Sequence, residues 1–128
     1  MGMLARNQPD GQTSRGKRGE VANADGGDDQ GQIGFHSLVR QGLLVRNNGG
    51  DYEAAGGFER RWDTCSSTPW LRGEAGGQIV SYDDPVSMRL KGELVNRMGL
   101  LGINMFAAHG DDGWALVDGA RRGMGVGM

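Results

Sequence analysis

The chain has 128 residues, enough for one domain with a modest core. Its formal charge of −2 and pI near 5.6 argue against a dedicated nucleic-acid binder. With 25 glycines, 37% hydrophobic residues and a mean hydropathy of −0.51, it has little apolar area to offset chain entropy, so marginal stability is expected of the chain alone.

Residues 1–31 are polar, rich in Gly, Asp, Gln and Asn, and show neither strand nor helix period. They read as a disordered segment. The short basic run Arg15-Gly-Lys17-Arg18 is followed by Asp25, Asp28 and Asp29. That pattern suits a solvated tail better than a phosphate footprint. The first residues lack an apolar stretch of secretion-signal length, so none is expected there. No stretch of the chain reaches the roughly 18 apolar residues of a membrane span.

Residues 33–46 break the pattern. Phe35, Leu38 and Val39 fall on one face of a short helix that Gly42 can end, and Asn47-Asn-Gly-Gly50 marks a turn. Phe58–Trp62 and Gln78–Tyr82 read as two strands forming an antiparallel pair, with Thr68-Pro69-Trp70 and a Gly-rich turn between them. Cys65 has no second cysteine to pair with in this chain. It is expected to be a half-buried thiol.

A helix is signalled most strongly after Tyr82. Asp84 suits the N-cap, Pro85 the first helical position and Gly99 a left-handed stop. Leu90, Leu94 and Met98, with Val95 beside them, are expected to face the core. Gly92 inside the helix costs about 1 kcal/mol relative to Ala, which fits close packing or simple weakness.

Leu100-Leu-Gly-Ile-Asn-Met-Phe106 is a nearly continuous apolar run, the pattern of a strand buried on both faces of a parallel sheet. Asp112 is placed to cap a last helix from Trp114 to about Arg121, with Leu116, Val117 and Ala120 inward. Residues 123–128 read as a flexible tail. Strand, helix, strand and helix in that order predict an α/β unit.

Several blocks in this order carry a resemblance. Ser81-Tyr-Asp-Asp-Pro-Val-Ser87, Lys91, Gly99-Leu-Leu-Gly-Ile-Asn-Met-Phe106 and Asp111, preceded by Arg61-Trp-Asp63 and Thr68-Pro69-Trp70, resemble glycoside hydrolase family 18, the chitinases. The resemblance runs from Ile33 onward and implies that residues 32–122 are the C-terminal part of such a domain. The implied fold is α/β, a partial TIM-barrel fragment, with an antiparallel strand pair from the family's inserted α+β domain. A complete barrel needs about 200 residues or more, beyond this chain.

The resemblance implies chitin or N-acetylglucosamine oligosaccharides as partners, no cofactor and no metal. Full-length relatives are often extracellular. It places Phe106 where the family usually has the Trp that floors the sugar site. Phe keeps an apolar platform but loses ring area and the indole donor. The family's catalytic Asp-x-x-Asp-x-Asp-x-Glu, whose Glu protonates the glycosidic oxygen while the substrate's acetamido group attacks, is absent from this sequence. The nearest spacing, Asp25, Asp28, Gln30 and Gln32, lacks the last two acids and follows no strand-like run. No catalytic residue is therefore assigned, and the chain is expected to be inactive alone.

Other chemistry finds less support. His36 and His109 have no ligand spacing between them, and Asp111 and Asp112 near His109 suit a loop better than a metal. Asp83 and Asp84 are adjacent and would point apart on a strand, which leaves capping for Asp84. Trp62, Trp70 and Trp114 suit packing better than sugar stacking. The alternative from another class is a small non-catalytic chitin-binding module; a third is an unrelated α/β domain.

Overall fold

The computed structural model describes residues 32–74, 77–105 and 108–126. The predicted disordered segment 1–31, Phe106 and the last two residues of the predicted tail lie outside these. The described chain is mixed helix and sheet, with two antiparallel sheets and two packed helices.

Helix α1 spans Phe35–Arg40 and stops as predicted, with Gly42 in the left-handed region. Six residues cannot sustain a helix in water by propensity alone. This one is held by Phe35 and Leu38, both buried in the core. The chain then forms a hairpin that the sequence marked only by its turn. Strands β1 (Leu44–Arg46) and β2 (Tyr52–Ala54) pair antiparallel, with Leu44 opposite Ala54. Asn47 closes the turn, its side-chain oxygen accepting from the Gly49 and Asp51 N–H groups at 2.9 and 3.1 Å.

The second sheet corrects the predicted strand pair. Its order is β3 (Phe58–Asp63), β4 (Thr68–Gly73), β5 (Ile79–Ser81), so the two expected strands flank a third and do not touch each other's edge. Proline in β4 hides that strand from sequence reading, because it cannot donate to a central ladder. Here Pro69 lies just beyond the β4–β5 register, which begins at Trp70 opposite Ser81. Its carbonyl still accepts from the Tyr82 N–H at 3.3 Å, just past the end of β5. At the β3–β4 tip the Asp63 carboxylate accepts from the Cys65 N–H at 3.1 Å and the Ser66 hydroxyl at 2.6 Å. Cys65 itself is exposed, not half-buried, because it sits on this tip.

Helix α2, Pro85–Met98, has the predicted ends: Asp84 caps it, Pro85 opens it and Gly99 closes it with φ 67°. Its inward face differs from the expected one. Pro85, Ser87, Met88, Gly92 and Val95 are buried, whereas Leu94 and Met98 are exposed. The deciding residues are glycines. Helix α3, Ala115–Met124, crosses α2 so closely that a Cβ on Gly92 would lie 2.7 Å from the Met124 nitrogen. One on Gly119 would lie 2.7 Å from the Pro85 carbonyl oxygen, and one on Gly123 would overlap the Arg89 carbonyl. Asn96 ties the pair further, donating to the Met124 carbonyl at 2.7 Å.

The start of α3 is capped by Asp111 rather than Asp112. The Asp111 carboxylate accepts from the Leu116 and Val117 N–H groups at 2.9 and 3.2 Å. Asp112 instead accepts from the Tyr52 hydroxyl at 2.6 Å. Leu116 and Ala120 are buried as expected, with Val117 half-buried.

Residues 100–105 form no strand, against expectation. A strand buried on both faces needs neighbours at both edges. Among the described residues the run joins neither sheet, and Leu101 is fully exposed. The core lies instead where α1, both sheets, α2 and α3 converge, around Leu38, Leu44, Leu71, Val80, Met88 and Leu116.

Candidate functional site

A dense polar constellation forms where β3, the end of β5 and the N-terminus of α2 meet. On β3, Phe58, Arg60 and Trp62 share one sheet face, and Phe58 anchors that face in the core. The chain leaves β5 through Tyr82 and Asp83 and turns into α2 at Asp84, whose backbone is extended (φ −131°, ψ 178°). That conformation aims the Asp84 side chain back over the free N–H groups of the first turn.

Asp84 is 1% exposed and both its oxygens are engaged. Oδ1 accepts from the Ser87 N–H at 3.0 Å, and Oδ2 accepts from Arg60 Nη2 at 2.8 Å. The Asp84 N–H donates in return to Ser87 Oγ at 2.9 Å, closing a reciprocal cap. Ser87 Oγ donates to Asp83 Oδ1 at 2.8 Å, and Lys91 Nζ donates to both Asp83 oxygens at 2.7 and 2.8 Å.

The two adjacent aspartates thus converge on one serine, contrary to the expectation that they point apart. The reason is local. Alternation holds within a strand, but Asp84 is the cap and Asp83 precedes it, past the end of β5. From there Asp83 reaches Ser87 and, one turn further on, Lys91. The matching residues were legible at positions 83, 84, 87 and 91; Arg60, from a distant strand, was not.

Electrostatics follow the pairing. Burial opposes the Arg60 charge, but the hydrogen bond and charge of Asp84 outweigh it and the net shift of its pKa is upward. The Tyr82 phenol is pushed well above its ordinary value, first by burial and then by the Asp84 charge, with Arg60 acting in opposition. Arg60 also lies over the Trp62 ring, 5.4 Å from its centroid, a cation–π contact. Tyr82 Oη and Arg60 Nε are buried without a direct hydrogen-bond partner among the described residues.

The carboxylates of this constellation are engaged within the fold. Asp83 is held by Lys91 and the Ser87 hydroxyl, and Asp84 by Arg60 and the Ser87 N–H. The acids of the second cluster are engaged likewise, Asp111 by α3 and Asp112 by Tyr52.

The tryptophans are not brought together on one face. Trp70 stands opposite Arg61 in the sheet register, which puts it on the other face from Trp62. Trp114, just before α3, is 73% exposed. His36 is half-buried and His109 exposed. Among the described residues no group of three or more His, Cys, Asp or Glu could hold a metal ion.

Comparison with known proteins gives the context of this constellation. No family model matches the chain. A chitinase-like effector of Moniliophthora roreri is 30% identical over 120 residues, covering 94% of this chain and 28% of the relative. The chain therefore spans little more than a quarter of that relative's length. Among solved structures, the chitinase of the Yersinia entomophaga toxin complex superposes with a TM-score of 0.61 and 26% identity, over 70% of this chain and 16% of that one. A family 18 N-acetylglucosaminidase of Paenibacillus barengoltzii gives 0.55 and 27%, over 72% of this chain and 24% of that one.

Proposed function

This chain resembles the chitinase-like proteins of glycoside hydrolase family 18, and we propose from that premise that it supplies a non-catalytic, sugar-facing part of a chitinase-like domain. In this reading residues 32–122 are the C-terminal part of the domain. The β3–β5 sheet closes the inserted α+β domain, α2 is the seventh barrel helix, the segment after Gly99 stands in the sequence position of the eighth barrel strand and α3 is the last helix. The ligands are polymers or oligomers of N-acetylglucosamine. Phe106 would serve as the apolar platform beneath a sugar ring, with no metal or cofactor taking part.

One observation carries the non-catalytic part of the reading. Tyr82 to Lys91, where the family resemblance is tightest, is built as a closed structural turn in which Asp83 and Asp84 are both paired. The sequence holds no Asp-x-x-Asp-x-Asp-x-Glu, the motif whose Glu protonates the glycosidic oxygen in the family.

The test uses the purified chain. It should release no fluorophore from a chitobiose reporter, and it should be retained on chitin beads, with retention reduced at least several-fold by Phe106→Ala. Hydrolysis that is lost on mutating any residue of the chain would refute the non-catalytic reading. Retention unchanged by Phe106→Ala would remove Phe106 from the site.

A second reading, a free-standing carbohydrate-binding module, draws support from the exposed ring of Trp114. Such a module should unfold cooperatively by itself and lose chitin retention on Trp114→Ala.

A further inference from the structure

The β3–β5 sheet has one face in the core and one toward solvent. Phe58, Leu71 and Val80 point inward, and the residues between them point out. The register sets the outward residues in rows across the strands. Glu59, Arg72 and Ile79 form one row, and Arg61, Trp70 and Ser81 form the next. All six are exposed except Trp70, which is half-buried. Because β4 is the central strand, Trp70 sits in the middle of this face. Arg61 and Ser81 flank it sideways, and Thr68 and Arg72 flank it along its own strand.

Charge and composition limit what such a face can hold. Glu59 and Asp63 offset Arg61 and Arg72 on it, and Arg61 Nε already lies 3.1 Å from Glu59 Oε1. The face therefore has no net field to draw a polyanion. Besides Trp70, only Ile79 on it is large and apolar, too little for the dry centre of a protein interface. What remains is one indole ring surrounded by hydroxyls and by Arg72, whose guanidinium has no ion-pair partner among the described residues. A pyranose presents the complement, C–H groups on its face and hydroxyls around its rim. A row across three strands is about 10 Å long, which favours a chain of sugars over a single ring.

We propose that the outer face of the β3–β5 sheet is a second sugar-contact surface, with Trp70 as the platform and Arg72 as the donor to ring substituents, for a β-linked N-acetylglucosamine chain. The choice of sugar rests on the chitinase-like reading above; the surface itself follows from the strand register. It makes no use of Phe106, and it gives Trp70 a role beyond the packing expected from sequence.

The test titrates the full 128-residue chain, which has three tryptophans, with an N-acetylglucosamine hexamer. The indole N–H signals are followed by NMR and assigned with Trp→Phe variants. Chitin-bead retention is measured alongside. The Trp70 signal should shift to saturation while that of Trp62, on the other sheet face, stays in place. Trp70→Ala and Arg72→Ala should each reduce retention at least several-fold, with circular dichroism unchanged, and Trp70→Phe should reduce it less. Arg72 is exposed, so its variant tests the surface even where Trp70→Ala disturbs the sheet.

A Trp70 signal unmoved at saturating hexamer, or retention unaffected by both Trp70→Ala and Arg72→Ala, overturns the proposal. Loss of retention with Phe106→Ala alone overturns this surface and leaves the sugar-facing reading standing. Loss with the Trp70 and Arg72 variants alone supports this surface and removes Phe106. Shifts confined to Trp114 overturn it in favour of the free-standing module, and a chain that binds neither hexamer nor beads overturns both readings.

Discussion

Replacing Gly92 by Ala separates local helix chemistry from the packing seen here. Gly92 lies well inside the 14-residue helix α2. By propensity alone the substitution should stabilise, by about 0.8–1 kcal/mol, because Ala loses less backbone entropy. The structure reverses the sign. The added Cβ would stand 2.7 Å from the Met124 nitrogen and 2.9 Å from the Gly123 carbonyl carbon, and would overlap the Ala120 carbonyl oxygen. All three are backbone atoms of α3, so no side-chain rotation relieves them, and the helices must separate. Forcing a methyl group into a packed interface costs about 1–3 kcal/mol, and the separation also loosens Met88 and Leu116 beneath it. Three backbone atoms oppose the methyl group, which puts the cost in the upper part of that range, and with the propensity gain subtracted a net loss of about 1–2 kcal/mol is expected. For a domain of this size each kcal/mol lowers the melting temperature by about 4–8 °C. Thermal unfolding followed by circular dichroism should show Gly92→Ala melting roughly 5–15 °C below wild type. Gly102→Ala is the control, since a Cβ there meets nothing within 4 Å. A Gly92→Ala protein that melts at or above wild type would refute the packing account.

Other outcomes follow from the polar turns. Asp84→Asn keeps a capping oxygen but loses the ion pair with Arg60, whereas Asp84→Ala loses both. Urea denaturation should rank wild type above Asn above Ala, with Ala about 1 kcal/mol below Asn; equal midpoints would show that the cap contributes nothing. Asp111→Ala should destabilise by about 1 kcal/mol through the α3 cap. Asp112→Ala should act instead through Tyr52, so that in a Tyr52→Phe background its effect shrinks while that of Asp111→Ala persists.

The chain's two tyrosines give a pH prediction. Both phenols are raised in the folded state, Tyr52 by burial and then by its hydrogen bond to Asp112, Tyr82 by burial and then by Asp84. The unfolded chain therefore releases these protons first. Their stabilisation is fully present below the ordinary tyrosine value of about 10 and is lost as pH rises beyond it. Tyrosinate absorbance and loss of circular dichroism should rise together in an alkaline titration. Tyrosinate appearing near pH 10 with the dichroism intact would contradict the burial of both rings.

What could be read from the residues alone was local chemistry. Asp84, Pro85 and Gly99 set the ends of α2 because capping, a missing N–H and a left-handed φ act within one turn of backbone. Gly42 and Asn47 placed a helix stop and a turn for the same reason. The family resemblance of the Ser81–Lys91 stretch was also legible, and the known proteins similar to this chain agree with it. The choice of faces and partners was not. Leu94 and Met98 have the helical spacing of a core stripe, yet α2 turns them to solvent because only the Gly92 side lets α3 approach. Thr68–Gly73 is the central strand because Pro69 lies next to its start, one residue before its paired register with β5 begins. Asp111 displaced Asp112 as the cap because Tyr52, sixty residues away, holds Asp112. The apolar run at 100–105 has the composition of a buried strand but joins neither sheet among the described residues. A strand's hydrogen bonds and burial come from other segments, so its own residues could state the preference without satisfying it.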